Sequence, residues 1–187
     1  MREDAFVEKA KRAAEAILGG PLEVMRGASL LYEVTVNNQL ELTVDPKRPM
    51  RGRSAFQTDL CIFEKISEET KIPRVVIEFK KQLSTHDVLT YSTKARKHKQ
   101  VYPYLRYGLV IGDSETIPGR FFTHNEAFDF CMAAARYKGG RIYEFFKTLL
   151  KQEVAASRRL EQIVFEKKAV DVFREEVSFE SRGDRVV

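Results

Sequence analysis

Apolar and polar positions alternate between helical and extended spacing along most of the chain. Phe6, Ala10, Ala13 and Ile17 recur at helical spacing, which predicts a helix over 3–18, stopped by Gly19-Gly20-Pro21. "LLYEVTV" (30–36) and "QLELTV" (39–44) flank Asn37-Asn38 and predict a β-hairpin. "DPKRPMRGRS" (45–54) reads as a loop by its two prolines and one glycine. "FQTDLCIFE" (56–64) and "RVVIEFK" (74–80) read as strands, joined by a polar loop. Ser84 is placed to cap a helix, with Asp87 favourable in its first turn. Val88, Tyr91, Ala95, His98 and Tyr102 share one face of that helix, and Pro103 ends or kinks it. "YGLVIGD" (107–113) is a buried strand, so strand, helix and strand form a right-handed crossover between parallel neighbours. "RFFTH" (120–124) is a further short strand. Thr123 and Glu126 resemble a capping box opening a helix over 124–137, closed by Gly139-Gly140.

No Gly or Pro occurs from Arg141 to Arg182. A long helix is expected there at least to Lys168, with Ile142, Phe145, Leu149, Leu160 and Ile163 as its stripe. The expected class is α/β: a mixed central β-sheet flanked by helices, with a long C-terminal helix. Residues 1–140 form the α/β domain. Residues 141–187 form a helical extension that packs on the domain or mediates dimerisation. Its first half has the broad face for packing (Phe145, Phe146, Leu149, Leu150); beyond Ala155 the stripe thins, as in a projecting or dimerising helix.

A chain of 187 residues can bury roughly 70% of its unfolded surface, so it needs no covalent staples. Cys61 and Cys131 lie in apolar runs and read as small buried hydrophobes, not as a disulfide framework. No run of about 18 apolar residues is present to span a membrane. The first 17 residues carry acids and no apolar h-region, so the expectation is an intracellular, cytoplasmic protein. The net charge of +5 is uneven. Residues 46–107 hold 14 Lys/Arg against 6 Asp/Glu, or +8, while the remainder holds 18 against 21, or −3. A polyanion such as nucleic acid suits that layout, and so does an ordinary solvated surface.

The charged residues of the 74–80 strand change the picture most. Residues i and i+2 of a strand point the same way, so Glu78 and Lys80 project from one face and Ile77 and Phe79 from the other. If 56–64 pairs antiparallel with 74–80, Asp59 falls beside Glu78. Two adjacent carboxylates repel and are costly to bury, and a divalent cation removes that cost. Mg²⁺ accepts a few protein oxygens and keeps its waters. A nearby lysine can orient or deprotonate a water. The plainer alternative is a Glu78–Lys80 salt bridge at a sheet edge.

An Asp, a gap and Glu-x-Lys on adjacent strands, followed by a helix and a further strand, resemble the PD-(D/E)XK nuclease superfamily over roughly residues 3–113. The resemblance implies a restriction-endonuclease-like core. Asp59, Glu78 and Lys80 would be catalytic, and Asp59, Glu78 and the Phe79 backbone carbonyl would hold Mg²⁺, with Mn²⁺ able to substitute. Many relatives add an acid from the first helix, for which Glu3 is the candidate; Glu15 points away from the stripe. Thr58 stands where the superfamily name has proline. The implied activity is a Mg²⁺-dependent DNA endonuclease leaving 5′-phosphates, either a type II-like restriction enzyme or a structure-specific resolvase or repair nuclease. A non-cleaving nucleic-acid-binding member, or an unrelated α/β domain, are the competing readings.

DNA is the expected partner. Lys47, Arg48, Arg51 and Arg53 on the loop before Asp59 are candidate phosphate contacts, as are Lys81 and Gln82 past the strand and Lys94, Lys97 and Lys99 on the following helix. A solvated surface explains the same residues equally. Asp45 is a runner-up acid, although its place before Pro46 already explains it as a turn residue. His98 reads as a core histidine, and His86, His98 and His124 have no zinc spacing. A homodimer is expected from function, since cutting both strands of a duplex takes two sites.

Overall fold

In the computed structural model, which describes residues 3–135, 141–174 and 177–179, helix α1 (Glu3–Ile17) opens the chain. There follow strands β1 (Leu22–Arg26), β2 (Ser29–Leu31), β3 (Met50–Arg51), β4 (Ser54–Gln57), β5 (Leu60–Lys65) and β6 (Lys71–Lys80). The rest comprises helix α2 (Thr85–Val101), strand β7 (Arg106–Ile111), helix α3 (Gly119–His124), strand β8 (Phe130–Ala133) and helix α4 (Arg141–Phe165). The main sheet has the order β1-β5-β6-β7-β8, and a small second sheet the order β2-β4-β3. In the main sheet β1, β5 and β6 are antiparallel neighbours, whereas β6, β7 and β8 run parallel. The fold is α/β with a mixed central sheet.

Alternation along β6 divides the core in two. Val75, Ile77 and Phe79 pack with Val7 and Ala14 of α1 and Phe146, Leu150 and Val154 of α4. Val76 faces the other way, toward Val88 and Ala95 of α2 and Phe121 of α3. Each fully buried side chain of this size is worth about 1.5–3 kcal/mol, so the two layers hold the strand from both faces. Helix α2 starts at the expected place: Ser84 Oγ accepts from Asp87 N–H, and the Asp87 carboxylate accepts from Ser84 N–H. It stops at Tyr102, before Pro103.

Helix α4 lies on the domain well past Ala155. Arg158 pairs with Glu64 of β5 at 2.6 Å, and Arg74 of β6 pairs with Glu161 at 2.6 Å. These ion pairs replace apolar contact where the stripe thins, which corrects the reading of that half as a projecting arm. Of residues past 174, only 177–179 are described.

Several other expectations are corrected. The 30–44 hairpin keeps one isolated bridge, Val36 to Leu42. Asn37 Oδ1 accepts from Gln39 and Glu41 N–H, and Leu40 takes a φ of 63°, so a turn over 37–41 replaces a tight Asn37-Asn38 hairpin. Among the described residues no layer covers the apolar alternation, and Val36, Leu40 and Leu42 remain exposed. The expected strand 56–64 is broken because Thr58 turns both its N–H and its hydroxyl to the Ala28 carbonyl. Residues 54–57 thereby join the second sheet. Residues 119–124 are helical, not extended, and Thr123 bonds back to the Gly119 and Arg120 carbonyls instead of capping. No helix forms over 125–133: Asn125 Oδ1 accepts from Ala127 and Phe128 N–H, Ser92 Oγ accepts from Glu126 and Ala127 N–H, and β8 follows. The end of that expected helix, 136–137, lies outside the described residues. Strands β1, β3 and β8 were not anticipated.

Candidate active site

Leu60 pairs with Ile77 and Cys61 with Val76, so residue 59 falls opposite residue 78 at the end of the β5–β6 ladder. Asp59 sits in a bend just ahead of β5 and is half-buried. Its Oδ2 accepts from Phe79 N–H at 2.8 Å, and its own N–H donates to Glu78 Oε2 at 3.3 Å. The carboxylate thus stands in for a strand carbonyl and ties itself to the neighbouring strand. The Phe79 N–H points toward the β5 side, and in a ladder the carbonyl of the same residue faces that side too.

The turn from β1 to β2 fixes the approach to this corner. Gly27 has a φ of +69°, which favours glycine, and its N–H donates to the Asp59 carbonyl at 3.2 Å. A Cβ there would lie 2.9 Å from Gln57 Nε2.

Glu78 is 1% exposed, so its charge needs partners. Oε1 accepts from Tyr107 Oη at 2.6 Å and from Lys94 Nζ at 2.5 Å. Burial raises the Glu78 pKa above the ordinary carboxylate value; the Lys94 charge opposes that shift, and the Asp59 charge adds to it. Burial, then the Glu78 charge, pushes the Tyr107 phenol well up, so it remains a donor. Lys94 Nζ also donates to the Gln57 carbonyl at 2.5 Å. Lys80, on the Glu78 face of β6, holds its ammonium 4.9 Å from the centre of the Tyr91 ring, and Lys94 is 5.5 Å from the same ring. Burial raises the Tyr91 pKa, with a hydrogen bond from Lys80 opposing it.

Asp59 and Lys94 lie on the wall of a groove of about 620 Å³, with Asp4, Arg26, Tyr32, Arg51 and Phe56. Buried Glu78 lies behind that wall, and Lys94 bridges Glu78 to it. Among the described residues no group of three or more His, Cys, Asp or Glu side chains gathers to hold a metal. The donor set that fits a hard cation is therefore two carboxylates and the Phe79 carbonyl, a small set of the kind Mg²⁺ accepts when waters complete its shell. Lys94 supplies the compensating charge in the structure as it stands.

The other candidate residues scatter. Lys94 does not lie on an open helix face; it is turned into the site by Glu78. Lys99 is likewise drawn inward, to Asp129 at 2.7 Å and the Ala127 carbonyl at 2.7 Å. Arg74 and Arg106 of the basic segment are also committed to internal ion pairs. Lys97 and Gln82 are exposed, and exposed Lys81 pairs with Asp113 at 3.4 Å. Lys47, Arg48, Arg51 and Arg53 are all exposed, and only Arg51 of the four lines the groove; its Nη1 donates to Gln57 Oε1 at 2.8 Å. The Asp45 carboxylate accepts from Lys47 N–H, the local turn role its sequence implied. The Glu3 side chain lies outside the described residues. The acid that α1 brings to the groove is Asp4, paired with Arg26.

Sequence reasoning missed Asp4, Lys94, Tyr91 and Tyr107 as members of this cluster. Lys94 follows Tyr91 by three positions, a helical neighbour at the margin of the stripe, and that spacing was a usable signal. Tyr107 opens an otherwise apolar run, 107–111, and its one polar tip needs a buried partner.

The class defined so far is an α/β protein with a mixed sheet and a cluster of two carboxylates and two lysines at one end of it. Scanned against models of known protein families, the chain matches none, and a search of curated proteins likewise finds no match. No helix among the described residues is long and apolar enough to cross a membrane.

Proposed function

We propose that the protein is a metal-dependent nuclease of the PD-(D/E)XK kind, acting on DNA through Asp59, Glu78 and Lys80. The observation that carries this reading is the meeting of Asp59 and Glu78 at the end of two antiparallel strands, with Lys80 on the same face. The helix and parallel strand that follow, α2 and β7, support the restriction-endonuclease-like core. Asp59, Glu78 and the Phe79 carbonyl are the groups that would hold Mg²⁺ or Mn²⁺. When bound, that cation supplies Lewis-acid charge neutralisation at a phosphate. Asp59, on the groove wall, fixes where the phosphate sits. Lys80 orients the attacking water and offsets negative charge as the 3′ oxygen leaves and a 5′-phosphate forms. Tyr107 holds Glu78 in place by its hydrogen bond. Arg51 and the neighbouring loop cations steer the backbone into the groove.

A non-cleaving nucleic-acid-binding protein is the second reading. It is favoured by one observation: Lys94 already neutralises Glu78 and stands between it and the groove. Plasmid and single-strand cleavage with Mg²⁺, Mn²⁺ or EDTA separates the two. Wild type should cut only with the metal, and Asp59→Ala and Lys80→Ala should each lose activity by 100-fold or more, on the order of the loss from removing a key stabilising group. Cutting that survives both substitutions ends the assignment. Binding without cutting under every metal condition moves it to the second reading.

A further inference from the structure

We propose that the Tyr32–Phe56 ring pair is a stacking platform for an unpaired nucleobase, so that the groove beside Asp59 takes single-stranded or frayed nucleic acid in preference to closed duplex. This rests on reading the groove as a nucleic-acid site. The two rings stack with centroids 3.9 Å apart and an interplanar angle of 16°, and both line the groove that Asp59 lines. Phe56 is 37% exposed. An exposed phenylalanine stacked on a tyrosine presents a flat, apolar and sequence-tolerant face. Every base has a matching π-face, but a closed duplex hides it against its neighbours.

The platform is rigidly braced. Phe56 pairs with Leu30 across the β2–β4 ladder. Its ring meets His98 edge-on at 5.8 Å, and His98 lies over Tyr107 at 5.7 Å. The His98 Nδ1–H donates to the Leu31 carbonyl at 2.9 Å, and Tyr107 carries the hydrogen bond to Glu78. A base on the rings would therefore sit in a fixed relation to the carboxylate pair. The charge around the rings suits the backbone of the same strand. Arg51, Arg26 and Lys94 are on the groove wall, and Lys47, Arg48 and Arg53 are exposed on the adjoining loop. Aromatic faces interleaved with cations are the arrangement that binds single strands without reading their sequence.

The test uses the full chain in EDTA, where cutting is blocked. Oligonucleotides carrying one 2-aminopurine are followed by anisotropy and by quenching of the fluorophore on stacking. Single strand should bind at least about tenfold more tightly than the matching duplex, with quenching on binding. Phe56→Ala and Tyr32→Ala should each weaken single-strand binding at least about fivefold, the scale of one lost base stack, and Phe56→Trp should retain it. Circular dichroism and the Phe56→Trp arm guard against misfolding. Equal affinity for duplex, or unchanged binding and quenching in Phe56→Ala, overturns the platform. A wild type that cuts with Mg²⁺ while Phe56→Ala binds normally leaves the nuclease reading intact and removes only the platform. Quenching that depends on Phe56 in a protein that never cuts supports the platform and removes the nuclease.

Discussion

Lys94→Met keeps most of the side-chain stem and deletes one charge. In the folded protein that charge lies 2.5 Å from a carboxylate that is 1% exposed and beside a second carboxylate, Asp59. Removing one partner of a buried pair costs about 3–5 kcal/mol, because the other is left desolvated and uncompensated. Lys94 is itself 16% exposed, and Tyr107 Oη and Asp59 N–H still donate to Glu78, so the lower end, about 3 kcal/mol, applies. For a chain of this length that is a fall in melting temperature of roughly 6–12 °C. Its pH dependence has a definite sign. The folded pKa of Glu78 lies above its ordinary 4.5, so the folded state holds the proton more tightly than the unfolded chain does. Stability is therefore lost as pH rises through the window above 4.5. Deleting Lys94 removes the charge that holds this pKa down, which widens the window. Below about pH 4.5 Glu78 is protonated in both states and the variant should approach wild type. Urea denaturation across pH 4–8, with and without Mn²⁺, measures this. On the proposed metal site, Mn²⁺ should stabilise Lys94→Met more than wild type, since the cation would enter the place the ammonium vacates. A loss below about 1 kcal/mol, the same loss at pH 4 and pH 8, or an equal response to Mn²⁺ would refute the reasoning.

Burial holds the His98 pKa down to about 4. Unfolded His98 takes a proton near 6.5 while the folded form resists, so stability falls as pH drops from 6.5 toward 4, by about 3 kcal/mol in all. In His98→Asn that slope should flatten in pH-dependent melting, and an unchanged slope would assign it elsewhere. Arg74, 3% exposed, bridges Glu64 at 2.7 Å and Glu161 at 2.6 Å. Arg74→Met should cost about 3 kcal/mol in urea denaturation, and an unmoved midpoint would mean that the Arg74 ion pairs add nothing to the docking of α4. A Cβ on Gly108 would lie 2.0 Å from the Phe130 ring. Gly108→Ala should cost about 1–3 kcal/mol by overpacking, partly relieved in melting by Phe130→Leu; a double variant no more stable than the single one contradicts that cause.

What the sequence showed of the fold depended on whether a segment's neighbours were local. Helices α1, α2 and α4 carry their signals within themselves: stripes, a capping box, glycine and proline stops. Strand β1 does not. "LEVMR" is short and half polar, and it is a strand because β5 lies open beside it. Residues 125–133 failed for a similar reason, since the side chain that settles them, Ser92, is 34 residues away from Glu126. The Asp59–Glu78 meeting was legible because alternation and antiparallel register fix it once the two strands are granted. Lys94 was not, because a lysine just past the middle of a helix looks solvated until the partner strand is in place.

Strand and helix contribute opposite halves of the same electrostatic problem. The β5–β6 ladder fixes the carboxylates and removes water from Glu78; it can supply two N–H donors but no full charge. Lys80, from β6 itself, holds its ammonium over the Tyr91 ring. The charge that pairs with Glu78 at 2.5 Å comes from another layer, where α2 packs its Val88, Ala95 and His98 face over the sheet. Lys94 lies on the margin of that face, near enough to reach the strand end and far enough out to touch the groove through the Gln57 carbonyl. The docking of α2 and the charge state of the site are in consequence one equilibrium. On the proposed nuclease reading, a phosphate entering the groove and Glu78 would compete for the same ammonium, and whichever held it would set how strongly the carboxylate pair attracts a cation.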